Sequence, residues 1–93
     1  MTLTKETMIE RIKTDDEWLN RAVLRIATVV SNNQTNIDID DKDRYDLDYW
    51  SGWIRTKRNL TGEFRVNAVK LVTSNECINC LWDYAVTNKG DNK

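Results

Sequence analysis

The chain has no histidine and no proline, and only three glycines and two cysteines in 93 residues. Without histidine, the commonest general base and the usual partner of a nucleophilic serine or cysteine is missing. A structural zinc site within one chain is also excluded, because it needs four ligands and Cys77 and Cys80 supply two. Without proline, and with so little glycine, the sequence reads as continuous helices joined by short connections. No apolar run approaches the roughly 18 residues that span a bilayer, and Met1-Thr2-Leu3-Thr4-Lys5 lacks a signal-peptide core. Two cysteines this close together cannot staple a fold, which agrees with a reducing compartment. The expectation is a cytoplasmic protein.

What is present is a separation of charge. Six aspartates, Asp38, Asp40, Asp41, Asp43, Asp46 and Asp48, fall within eleven residues, whereas residues 55–70 carry five basic side chains against the single acid Glu63. The net charge of −1 averages this away, although the molecule is expected to present an acidic surface beside a basic one. Hydrophobic residues at 40% and charged residues at 31% suit a globular domain with a heavily solvated exterior rather than a disordered chain.

The periodicity predicts an all-α fold, a compact bundle of four to five short helices with one short extended piece near 36–40. Residues 1–86 form a single helical domain in this reading, and 87–93 a flexible polar tail. Thr4 caps a first helix running to about Lys13, with Leu3 and Met8 as a hydrophobic staple. Thr14-Asp15-Asp16-Glu17 reads as a capping box for a second helix, in which Trp18, Leu19, Ala22, Val23, Ile26, Val29 and Val30 recur at three- and four-residue steps. Residues 34–45 read as a loop, with Asp46 or Asp48 capping a third helix that Asn59 closes. Thr61 caps a fourth helix with Phe64, Ala68, Leu71 and Val72 inward. Ser74 or Asn75 begins a fifth that buries Cys77, Ile78, Leu81, Tyr84 and Ala85.

Few residues suggest chemistry. Cys77-Ile78-Asn79-Cys80 has the redox spacing, but its helical setting favours two small apolar thiols in a core. The aspartates could hold a hard divalent cation. A calcium loop counted from Asp38, however, needs glycine and glutamate where Asp43 and Tyr49 stand. No catalytic residue, cofactor or metal is assigned, and the chain is read as a binding protein rather than an enzyme.

Two surfaces are candidates. The first is Asp38, Asp40, Asp41, Asp43, Tyr45, Asp46, Asp48 and Tyr49, where carboxylates interleave with aromatic anchors, a combination suited to a basic protein or ribonucleoprotein surface. The second is Arg55, Lys57, Arg58, Arg65 and Lys70, which could contact the phosphates of a duplex in a small helical DNA-binding regulator. The sequence pI near 5.4 weighs against direct nucleic-acid binding. Four tryptophans, Trp18, Trp50, Trp53 and Trp82, are many for one small core, and they leave room for a self-associating structural or assembly protein.

At Trp18-Leu19-x-Arg21-Ala22, then Gln34-Thr35 and Leu60-Thr61, the chain resembles short proteins carried by bacteriophages and mobile elements. Those proteins often place a glycine-rich stretch where Asp38 to Asp48 stands here. In general look the chain is similar to phage-encoded inhibitors of host defence, such as anti-CRISPR proteins. This resemblance implies an inhibitor acting in the bacterial cytoplasm by protein–protein interaction with a host nucleic-acid-handling complex.

Overall fold

The computed structural model describes residues 4–32 and 37–91, with 87–91 as backbone only. Five helices follow one another: α1 (Lys5–Thr14), α2 (Asp16–Ser31), α3 (Asp41–Arg55), α4 (Gly62–Val72) and α5 (Asn75–Asp91). Among the described residues there is no strand, and the chain is an all-α bundle. The helical backbone of α5 continues through 87–91, the first part of the segment that the sequence sets apart as a tail.

Helix α2 is the central element and packs against each of the other four. Its apolar period explains this position: Leu19, Ala22, Val23, Ile26, Ala27, Val29 and Val30 are all buried, so the helix is covered on more than one side. Met8 and Ile12 from α1, Leu47, Trp50 and Ile54 from α3, Ala68 and Val72 from α4, and Cys77, Ile78 and Leu81 from α5 close the same core. Only Trp50 of the four tryptophans is fully inside; Trp18, Trp53 and Trp82 are partly buried at its margin. Their ring edges therefore remain at the surface.

The helix starts follow local chemistry, with corrections. The Thr7 N–H donates to Thr4 Oγ1 (3.1 Å), so Thr4 caps α1 as expected. Leu3, its proposed staple partner, lies outside the described residues. The cap of α2 is Asp15, whose Oδ1 accepts from the Glu17 N–H (2.9 Å), and not Thr14. Thr14 is still the last residue of α1, where its hydroxyl donates to the Glu10 carbonyl. The two helices thus abut across a single residue, which leaves no room for a separate capping box.

The largest correction concerns α3. It begins at Asp41 after Asp40, well before Asp46 or Asp48, so residues 41–45 are helix rather than loop. Asp41 and Asp43 in the first turn suit the positive end of the helix dipole, and the apolar positions Leu47, Trp50 and Ile54 fix the register. Residues 37–40 are irregular, with Ile37 and Ile39 packed on the core between exposed Asp38 and Asp40. The extended piece expected near 36–40 is thus an alternation that seats two isoleucines rather than a paired strand. Asn36 lies outside the described residues.

Helix α3 ends at Arg55, not at Asn59. Lys57 takes a left-handed backbone (φ 65°), and its N–H donates to the Ile54 carbonyl (2.9 Å). Leu60 is buried between α3 and α4, and Trp53 Nε1 donates to the Asn59 carbonyl (3.2 Å), so the connection is held at two points. Gly62 opens α4 with φ 59°, a conformation that glycine adopts at no steric cost.

Candidate functional site

The six aspartates do not form one patch. A helix turns about 100° per residue, so Asp41, Tyr45 and Asp48 share the outward side of α3, where all three are exposed. Asp43 and Asp46 fall on the flank facing α4 and are half-buried. They line a shallow polar groove with Lys42, Asn67, Lys70 and Ser74. Lys42 Nζ donates to Asp46 Oδ2 at 2.8 Å, and that hydrogen bond, followed by the charge of Asp46, raises the lysine pKa above its ordinary value. Asp38 and Asp40 stand apart on the irregular segment, and the Asp38 backbone N–H donates to Glu76 Oε2 (2.9 Å) at the start of α5.

The aromatic residues come together more closely than the acids. Tyr45, Tyr49 and Trp53 succeed one another at four-residue steps along α3, which places them in one row. Tyr49 and Trp53 stack with ring centroids 6.3 Å apart and planes 23° apart. Phe64 of α4 adds its ring 5.5 Å from that of Tyr49. Tyr45 is 71% exposed and Tyr49 and Phe64 45% each, so the row is open to solvent over most of its length. Asp41 and Asp48 flank it and have no ion-pair partner among the described residues. The geometry is that of an apolar strip with a carboxylate margin.

Trp53 packs partly against the core, and Phe64 is the surface residue that the spacing misplaces. Phe64 is expected inside from its spacing to Ala68, Leu71 and Val72, yet only Ala68 and Val72 are fully buried. The available signal was the four-residue repeat of aromatics Tyr45, Tyr49 and Trp53, which continues the Tyr45–Tyr49 pair into the apolar half of α3. Tyr84 is likewise not inward: it is 41% exposed, and the Arg25 guanidinium lies 3.7 Å from its ring centroid.

The basic residues are dispersed. Arg65 Nε donates to Asp16 Oδ1 (3.1 Å) and its Nη1 to the Lys13 carbonyl (3.0 Å), which ties α4 to the α1–α2 junction. Arg58 lies over Trp53 with its guanidinium carbon 4.7 Å from the ring centroid. Lys70 lines the groove with Asp43 and Asp46, while Arg55 and Lys57 are exposed at the end of α3. The five do not share one face.

Cys77 is buried and Cys80 half-buried, both unpaired by disulfide. Burial is the main cause that raises each thiol pKa, so neither is set up as a thiolate nucleophile. Among the described residues no three acidic or thiol side chains converge as a metal site, and no helix is long and apolar enough to cross a membrane. No protein-family model matches the chain, and no curated protein or solved structure is detectably similar to it.

Proposed function

We propose that the protein acts by docking the aromatic strip of Tyr45, Tyr49, Trp53 and Phe64 onto a basic surface of a macromolecular partner, with Asp41 and Asp48 supplying the complementary charge. The partner class is a protein or ribonucleoprotein that handles nucleic acid in a bacterial host cell, and the action is inhibitory, as in phage-encoded antagonists of host defence. The observation that supports the reading is the row of rings, exposed at Tyr45, Tyr49 and Phe64 and packed together at Tyr49, Trp53 and Phe64, beside carboxylates with no ion-pair partner among the described residues. Interfaces enrich aromatic anchors, and a carboxylate margin steers a cationic partner and fixes its register. The resemblance to phage and mobile-element proteins supplies the setting.

The test separates the two halves of the acidic segment. A Tyr45→Ala, Tyr49→Ala double variant and an Asp41→Lys, Asp48→Lys double variant are expected to lose partners captured from bacterial lysate by the wild-type chain, with helical circular dichroism unchanged. An Asp43→Lys, Asp46→Lys variant is expected to retain them. Capture that survives both of the first two variants refutes the reading. Low-salt gel shifts on nonspecific duplex test the DNA-binding regulator, whose affinity would fall steeply with salt. Sedimentation tests self-association through the same strip.

A further inference from the structure

A second surface, sharing no lining residue with the aromatic strip, lies where α1, α2 and α5 meet. There a wedge-shaped cavity of about 230 Å³ opens between the helices. Met8, Ile12, Ala22 and Leu81 form its apolar wall, and the small side chains of Ala22 and Ala85 leave its space unfilled. An apolar cavity of about 150 Å³ is already large enough to hold a benzene ring, so an organic body of modest size fits.

The charged groups around the wedge are mainly of one sign. Arg21 and Arg25 line it, and Arg11 lies beside it with its guanidinium carbon 5.3 Å from the Trp18 ring centroid. No acid is among the described lining residues, and Arg21 is itself paired outside the wedge, its Nη2 donating to Glu17 Oε1 at 2.9 Å. Arg25 is different. Its guanidinium carbon lies 3.7 Å from the Tyr84 ring centroid, and its Nε is buried with no hydrogen-bond partner among the described residues. The buried Nε is out of a ligand's reach, whereas the two terminal nitrogens make no hydrogen bond among the described residues and are not buried, so they are the paired donors that a carboxylate would meet.

The geometry points to a binding site for a small carboxylate with an apolar tail or ring. Its body packs on Met8, Ile12 and Leu81, and its carboxylate is received by Arg25. Apolar burial supplies the affinity and the arginine supplies the selection for an acid.

The experiment uses the full chain and three probes of equal chain length, octanoate, octanol and octylammonium, followed by tryptophan fluorescence and amide NMR shifts. Octanoate is expected to bind saturably, with shifts centred on Trp18, Ala22, Leu81 and Ala85. Octanol is expected to bind about tenfold more weakly, and octylammonium to give no saturable shift. Arg25→Lys keeps the positive charge but removes the planar pair of terminal N–H donors, and is expected to bring octanoate binding down to the octanol level. Arg25→Gln is expected to do the same while retaining a cooperative thermal transition. Equal binding of octanoate and octanol, undiminished octanoate binding by Arg25→Lys, or no saturable octanoate shift would each overturn the assignment.

Discussion

The ring of Tyr49 on α3 meets the ring of Phe64 on α4 at 5.5 Å, with their planes tilted by 49°. The pair spans the two helices outside the main core, so it contributes both a surface and a brace. Tilted aromatic pairs are worth about 0.5–1.5 kcal/mol beyond the area they bury. A double-mutant cycle with Tyr49→Ala and Phe64→Ala, read by urea denaturation, is expected to give a coupling energy in that range. A coupling near zero would mean that the two rings are independent in solution.

Arg65 is expected to matter for stability rather than for phosphate. It joins Asp16 and the Lys13 carbonyl, and its side chain is 30% exposed. Arg65→Ala should lower unfolding stability by about 1 kcal/mol, because the ion pair is partly solvated while the carbonyl bond ties α4 to the end of α1. Asp16→Asn should cost less, since the bond to Lys13 remains. Chemical denaturation of the two variants checks the order.

Lys57 and Gly62 flank one connection and both have positive φ. Left-handed backbone costs a residue with a Cβ about 1–2 kcal/mol, against which the extra freedom of an unfolded glycine is offset. Lys57→Gly is therefore expected to stabilise by about 0.5 kcal/mol, and Gly62→Ala to destabilise by about 1 kcal/mol. No neighbouring atom would obstruct a Cβ on Gly62, so the backbone angle alone carries the second effect. Thermal melts of the single variants should shift in opposite directions.

The buried thiols predict an alkaline weakness. Cys77 keeps its proton more tightly in the folded protein, chiefly because it is desolvated. As pH rises past about 8.5, the ordinary value for a thiol, the unfolded state ionises first. The native state then binds more protons than the unfolded one, so stability falls with rising pH until the folded thiol also ionises. Below that range the thiol has no effect. Cys77→Ala should flatten this slope, at a baseline cost of about 1 kcal/mol from the lost packing. Lys42 adds a separate loss only at higher pH, above about 10.4. At neutral pH iodoacetamide should label Cys80 before Cys77, and both more slowly than free glutathione.

The legibility of the sequence varied with how far packing alone decides a position. Helix α2 could be read because its apolar residues are numerous enough to set the period without help. The start of α3 could not, because aspartate is a poor helix former in general but a good one in the first turn. That distinction requires knowing where the turn begins. The site is half legible: the charged surroundings point to Tyr45 and Tyr49, whereas the spacing places Phe64 inward although it is 45% exposed. Helix α4 buries only two residues fully, so its period overstates its inner face. The wedge was not visible at all, since it depends on where Ala22 and Ala85 leave space between helices remote in sequence.

The placement of α2 bears on how the molecule comes apart. Every other helix rests on it and it supplies more of the buried side chains than any of them, so the bundle cannot shed its centre while keeping its rim. Backbone amides of Ala22 to Val29 should then exchange with deuterium only through global opening, at the slowest rate in the chain. The ends of α1 and α5, each supported on fewer sides, can open locally without disturbing them.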